Sequence, residues 1–192
     1  MDNKWLIVGA GPSLLRSDVE LLRGCYKTVA VNCAIFFTPW ADVLFAWDKN
    51  WWEYYGPKVA WFKGLRVSGT SYRGYDVRPW RRKGWARTGG NSGHVAIQYA
   101  VDHGGQVIYL LGFDHQKTNG QAHCHPDHPL RNETGLNMGN ADGVEHWPRA
   151  MELTAIELQR RKVQVINLSR TTAITNFPRL AIEQLVEIGA NA

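Results

Sequence analysis

The sequence is poor in cysteine and contains no long hydrophobic run. Its three cysteines, Cys25, Cys33 and Cys124, are too few and too scattered for a disulfide framework, which indicates a reducing compartment. No stretch approaches the roughly 18 consecutive apolar residues of a membrane-spanning helix. The first apolar run is too short for a signal peptide. We therefore expect a cytoplasmic protein with no membrane span.

Acidic residues are scarcer than basic ones. The 192 residues include 22 lysines and arginines but 17 aspartates and glutamates, which gives a formal net charge of +5. This balance favours an anionic partner, although a basic surface kept for solubility is the alternative. Hydrophobic residues make up 44% and charged residues 20%, which excludes a mainly disordered chain. Internal repeats and low-complexity tracts are also lacking, so the length suits one domain.

Short apolar runs alternate with helical patterns along the chain. The runs are typical of strands buried on both faces, and they occupy residues 4–9, 28–32, 42–48, 106–112 and 163–168. Helical spacing marks residues 12–24, part of 49–62, 92–103, 147–161 and 177–188. The alternation predicts an α/β fold with a Rossmann-like, mostly parallel sheet flanked by helices. We expect one nucleotide-binding domain over residues 1–192, with a polar, His-rich lid at about 113–146.

Open parallel sheets bind ligands at the carboxyl ends of their strands, and several predicted strand ends carry glycine or polar residues. The first predicted strand runs into a glycine-containing turn whose backbone N–H groups would suit a phosphate. This turn lacks the third glycine of a dinucleotide fingerprint and the lysine of a P-loop, so a plain strand–helix turn is the alternative. The turn residues are Gly9, Ala10, Gly11, Pro12 and Ser13.

Polar side chains at the other strand ends are further ligand candidates. Asn32 and Asp48 end neighbouring predicted strands, where an amide can bind a base or ribose edge, or where both residues simply cap turns. A second glycine-containing helix entry, Asn91, Ser92 and Gly93, offers backbone donors and a hydroxyl to an anion. In the alternative interpretation, Ser92 is only the N-cap of the helix.

Histidines are concentrated in the predicted lid, which holds five of the seven. His123, Cys124, His125 and His128 are residue types that bind zinc, but their spacing matches no standard zinc motif. We therefore expect histidines that contact phosphate and no metal, and a metal site in this cluster is the alternative. His146 immediately precedes a predicted helix, where the helix dipole favours a neutral imidazole suited to act as a general base. A purely structural histidine is the alternative.

Taken in order, these segments resemble the bacterial sialyltransferases of glycosyltransferase family 42 and the wider MptE-like family of Rossmann-type domains. The resemblance spans about residues 4–180. Its matching pieces are residues 9–13, 31–32, 43–48, 91–96, 108–114, His146, 163–168 and 175–177. It implies a nucleotide-sugar donor lying over the strand ends, a closing lid, no metal cofactor, and His146 as the general base.

Three positions depart from the sialyltransferase pattern. Ala10 stands where that family carries asparagine, and Asp48 also replaces an asparagine. Gln116, beside His115, stands where a tyrosine helps the phosphate to leave. These departures argue against CMP–sialic acid itself as the donor, and they leave another nucleotide or nucleotide-sugar.

The sequence thus predicts a glycosyltransferase that uses a nucleotide-activated sugar as its donor substrate. His146 would accept the proton of the acceptor hydroxyl, and His115 would offset charge on the leaving phosphate. The residues expected to bind the donor are Gly9, Ala10, Gly11, Pro12, Ser13, Asn32, Asp48, Asn91, Ser92, Gly93, Asp114 and Gln116.

Two other functions remain open at this stage. An MptE-like pyrophosphokinase-type enzyme would hold Mg²⁺ on Asp48 and Asp114. A non-catalytic module would bind a nucleotide or nucleic acid through residues 63–90, which contain eight basic residues, one acid and interleaved aromatics. The same segment would also serve as an acceptor track in a transferase, or be a solvated loop. An oligomer that completes the site with a neighbouring chain is compatible with the small size.

Overall fold

The computed structural model describes residues 3–85, 91–129, 131–136 and 147–190. The strands are β1 (Lys4–Val8), β2 (Lys27–Val31), β3 (Val43–Ala46), β4 (Leu65–Ser68), β5 (Arg78–Pro79), β6 (Val107–Leu111) and β7 (Gln164–Asn167). The helices are α1 (Arg16–Leu21), α2 (Lys49–Tyr55), α3 (Ser92–Asp102), α4 (Arg131–Thr134), α5 (Trp147–Arg160) and α6 (Ile182–Ala190). Within these described ranges, no helix has both the length and the apolar character needed to cross a bilayer.

All seven strands form one parallel sheet in the order β5-β4-β3-β2-β1-β6-β7. The chain lays down β1 to β5 towards one edge and then returns to place β6 against the other side of β1. The strand order therefore reverses between β1 and β6, which is the topological switch point where sheets of this kind open a ligand crevice. The predicted Rossmann-like α/β fold is confirmed.

Alternation along β1 explains why the sheet is covered on both faces. Trp5 and Ile7 pack into one apolar core, whereas Leu6 and Val8 pack into the core on the opposite face. Successive side chains of a strand point to opposite faces, so a fully apolar strand needs cover on both sides. Helix α3 provides the central cover and is buried throughout Ser92–Ala100.

Three element boundaries differ from the sequence predictions. Helix α1 begins at Arg16, several residues after the predicted entry at Pro12–Ser13. Residues 63–90, where the sequence predicts no strand, contain the short strands β4 and β5. Helix α6 begins at Ile182, because residues 178–180 run beside β7 and exchange backbone hydrogen bonds with Asn167.

Candidate functional site

The turn after β1 packs directly against the turn after β6. The Gly9 N–H donates to the Leu111 carbonyl at 2.8 Å, and the Gly11 N–H donates to the Gly112 carbonyl at 2.9 Å. A Cβ atom built on Gly9 would lie 2.6 Å from the Gly112 oxygen, and one built on Gly11 would collide with Asp114. Only glycine fits these positions, so the glycine spacing is explained by close backbone approach at the switch point.

The Asp114 carboxylate occupies the place that the sequence assigns to an incoming phosphate. The Ser13 N–H and the Ser13 hydroxyl each donate to one carboxylate oxygen at 2.8 Å. Asp114 is 1% exposed, and burial raises the pKa of its carboxyl although the two Ser13 bonds lower it. The helix dipole of α1 does not start here either, because α1 begins three residues after Ser13. Ser13 is thus bound to the chain's own anion.

The second glycine-containing entry is a capped helix start. The Asn91 side chain accepts from the N–H groups of Gly93 (2.8 Å) and His94 (3.3 Å), as a helix cap does. The Ser92 hydroxyl accepts the Trp47 N–H at 3.1 Å and so joins α3 to the end of β3. The capping residue is therefore Asn91, and not Ser92 as the alternative interpretation has it.

His115 and His94 form a buried imidazole pair at the end of β6. Their Nε2 atoms lie 3.3 Å apart, and their ring centroids are 5.0 Å apart. Burial, followed by the neighbouring His94, lowers the pKa of His115 to about 3. The ring is therefore neutral at physiological pH and suits hydrogen bonding, whereas the charge-offsetting role expected from the sequence needs a cation.

Asn32 and His115 carry the two strained backbones at the strand ends beside β1. Both adopt left-handed conformations, with φ of 52° at Asn32 and 51° at His115. Asn32 Oδ1 and His115 Nδ1 are buried, and neither atom has a hydrogen-bond partner among the described residues. Non-glycine residues rarely adopt this conformation, and such strain is concentrated at functional sites.

Asp48 and Gln116 lie at the same edge of the sheet. Asp48 precedes α2 without a capping hydrogen bond from its side chain. The residue is exposed overall, but neighbouring atoms crowd the carboxyl, and this desolvation raises its pKa. Gln116 is half-buried and follows His115 directly. Both side chains remain at the strand ends where the sequence predicts them.

The loop after β6 folds back over the ends of β1 and β2. It is anchored where the Cys124 N–H donates to the Ala10 carbonyl at 2.9 Å. Cys33, on the turn after β2, meets His125 and His128 of this loop, and one potential ligand atom from each lies within 4.8 Å of the others. Burial raises the pKa of Cys33 to about 11 and lowers the pKa of His128 to about 4. Sequence reasoning noticed the histidines but missed Cys33, which is about 90 positions away.

Some basic side chains of residues 63–90 make contacts within the fold. The Arg66 guanidinium donates to the carbonyls of Val59, Ala60 and Phe62, and the Arg82 guanidinium lies 4.9 Å from the centroid of the Trp47 ring. Within the described part of this segment, the exposed basic residues are Lys63, Arg73, Arg78, Arg81 and Lys83. Residues 86–90 of this segment lie outside the described ranges. Of the seven basic residues described in this segment, five are therefore exposed to an anionic partner.

The predicted general base His146 lies outside the described residues, as do residue 130 and the rest of 137–146 in the predicted lid. No family model, curated protein or solved structure matches the chain. The fold and site therefore define the class on their own: a Rossmann-like α/β protein with polar groups at the β1–β6 switch point.

Proposed function

We propose that this protein is a nucleotide-dependent transferase whose donor, a nucleotide or nucleotide-sugar, binds at the carboxyl ends of β1, β2 and β6. The observation that supports it is the pair of strained residues Asn32 and His115, each with a buried polar atom that lacks a hydrogen-bond partner in the described chain. An unsatisfied buried polar group costs about 1–3 kcal/mol. A ligand that supplies the missing partners would offset this cost.

The donor would lie beside the first turn rather than inside it. Because Ser13 already binds Asp114, a phosphate cannot use these donors unless the carboxylate moves. Asn32 offers an amide for a base or ribose edge, and neutral His115 offers a ring nitrogen for a hydroxyl or phosphate oxygen. Asp48, Gln116 and the capped start of α3 would border the same space.

Glycosyl transfer is the reaction that the family resemblance favours. His146 would take the proton from the acceptor hydroxyl while the acceptor oxygen bonds to the anomeric carbon. The bond between that carbon and the donor phosphate breaks, and the nucleotide leaves with its electron pair. General-base assistance of this type contributes about 10²–10⁴-fold to the rate. His146→Ala should therefore lower kcat by about that factor, and unchanged turnover on an identified substrate would remove His146 from the role.

A thermal-shift panel of nucleotides and nucleotide-sugars tests donor binding. A ligand at 100 times its Kd stabilises the native state by about 2.7 kcal/mol, which should raise Tm by about 5–10 °C for a chain of this size. No shift with any member of the panel at millimolar concentration would contradict the proposal.

Asn32→Gly locates the site, because glycine keeps the left-handed backbone and removes only the amide. We expect about fivefold weaker nucleotide binding with little loss of stability, since one hydrogen bond contributes about 1 kcal/mol. Asn119→Gly is the matched control: Asn119 has the same φ of 52° but is exposed in the loop after β6. Equal effects of the two substitutions would argue against Asn32 as a ligand.

Magnesium dependence separates this proposal from the pyrophosphokinase-type alternative. That chemistry needs Mg²⁺ held by carboxylates, and Asp114 is instead bonded twice to Ser13. Turnover in metal-free buffer favours glycosyl transfer. Activity that strictly requires Mg²⁺ and is abolished by Asp48→Asn supports the alternative.

A further inference from the structure

We propose that Cys33, His125 and His128 form a Zn²⁺ site with three protein ligands. One potential ligand atom from each side chain lies within 4.8 Å of the other two. Cys33 and His128 are buried, and His125 is half-buried. Zinc–sulfur and zinc–nitrogen bonds of about 2.0–2.3 Å place tetrahedral ligand atoms about 3.3–3.8 Å apart. Ligand atoms that already lie within 4.8 Å of one another therefore reach this geometry by side-chain movements of about 1 Å.

The histidines are held as metal ligands usually are. The His125 Nδ1–H donates to the Pro126 carbonyl at 2.6 Å, which leaves the lone pair of that ring on Nε2. Nδ1 of His128 shares a hydrogen bond of 2.9 Å with the Tyr55 hydroxyl. Metal-binding histidines typically bond their other ring nitrogen to a carbonyl or similar oxygen in this way, which fixes the orientation of the ring.

The surroundings of Cys33 complete this outer shell. The Tyr55 hydroxyl and the Trp51 indole both lie beside the Cys33 side chain. The Trp51 Nε1 atom is buried and makes no hydrogen bond of standard distance and angle within the described chain. A metal-bound thiolate, which is a stronger acceptor than a thiol, would give this donor a partner. Zinc binding would release the thiol proton to solvent.

The ligand types select the metal. A thiolate with two imidazoles suits zinc, whereas Mg²⁺ and Ca²⁺ need oxygen ligands. Three protein ligands leave one tetrahedral position for water or a substrate oxygen, as in zinc sites that act on substrates. His123 stacks on His125 with ring centroids 4.9 Å apart, but it does not belong to the group within 4.8 Å.

The first experiment measures binding by the reduced full-length chain without any nucleotide, so its result is independent of the proposed transferase. The protein is stripped with a chelator, kept reduced with a non-thiol reductant, and titrated with Zn²⁺ against a chromogenic chelator. We expect one Zn²⁺ per chain. Co²⁺ in place of Zn²⁺ should give a thiolate-to-cobalt charge-transfer band and the strong visible bands of four-coordinate cobalt. Absence of tight Zn²⁺ binding, or of the charge-transfer band, would overturn the proposal.

Variants assign the ligands. Cys33→Ser or His128→Gln should weaken Zn²⁺ binding by more than 100-fold, whereas Tyr55→Phe should cost about 10–100-fold, as loss of an outer-shell partner does. His123→Ala should change affinity by less than tenfold. A similar loss in all four variants would overturn the three-ligand assignment.

A double variant keeps the test valid if Cys33→Ser does not fold. Cys25→Ser/Cys124→Ser leaves Cys33 as the sole thiol and alters neither of the proposed histidine ligands. Its Co²⁺ charge-transfer band should match that of the wild type. Loss of the band, with an unchanged far-ultraviolet circular dichroism spectrum, would show that Cys33 is not the metal-binding thiolate.

Discussion

Replacing Ser13 with alanine tests whether Asp114 is ionised and held in the turn after β1. The substitution removes one of two 2.8 Å hydrogen bonds to a carboxylate that is 1% exposed, and it leaves the bond from the Ser13 N–H. A hydrogen bond to a charged group contributes about 1.5–3 kcal/mol. We therefore expect Ser13→Ala to lower the free energy of unfolding by that amount, or Tm by about 3–12 °C.

The pH dependence of this loss follows from the ionisation of Asp114. Burial raises the pKa of the carboxyl, whereas the Ser13 bonds lower it because they stabilise the charged form. The contribution of the hydroxyl is therefore present above the folded-state pKa and declines as the pH falls through it. The difference between Ser13→Ala and the wild type should shrink in acid, where both proteins carry a protonated Asp114.

Urea denaturation at neutral and mildly acidic pH measures both effects. Ser71→Ala is the matched control. Ser71 is exposed in the loop between β4 and β5, at the edge of the sheet away from β6. We expect the control to change the free energy of unfolding by less than about 0.5 kcal/mol at either pH. A loss in Ser13→Ala below that value at neutral pH, or one that does not vary with pH, would refute the ionised Asp114–Ser13 contact.

Two further predictions concern the surface and the far end of the chain. Arg170→Ala leaves the fully buried Asp18 without its two 2.6 Å hydrogen bonds. Removing one partner lowers the free energy of unfolding by about 1 kcal/mol for an exposed ion pair and by about 3–5 kcal/mol for a buried one. Because Arg170 is partly exposed, we expect a value between these limits in urea denaturation. Arg160→Ala, which breaks an exposed pair with Glu157, should cost less, and equal costs would contradict the buried pairing. If single-stranded nucleic acid binds the exposed cations of 63–85, neutralising Arg73, Arg81 and Lys83 should reduce the slope of log affinity against log salt by about 2 in filter binding. Neutralising Lys4, Arg23 and Lys117 is the charge-matched control, and an equal reduction there would assign the binding to net charge alone.

The secondary structure of the central sheet was predictable because its strands are apolar on both faces. Their unbroken apolar sequence predicts two buried strands without any knowledge of their neighbours, at residues 5–8 and 108–111. The strands β4 and β5 escaped prediction because they are short and carry arginine. Arg66 sits within β4, and its guanidinium reaches backbone carbonyls instead of solvent.

The glycine turns, the polar strand ends and their approach to the start of α3 were also foreseeable, because parallel strands end at one edge. Roles within that edge were not. The sequence alone leaves Ser13 available to a phosphate, whereas in the fold Asp114, 101 positions later, accepts both of its hydrogen bonds. The sequence alone leaves His115 able to carry a positive charge, whereas its burial and the neighbouring His94 lower its pKa and keep it neutral.

Local pattern alone determined the elements of this protein: a strand or helix depends on the periodicity of residues that are neighbours in sequence. Which side chains share a site was decided by the order of the strands. Because β6 lies beside β1, the loop that carries His125 and His128 lies over the turn that holds Cys33. The same placement brings Asp114 within hydrogen-bond distance of Ser13. Those contacts span about 90 to 100 residues, and no spacing within either segment specifies the other.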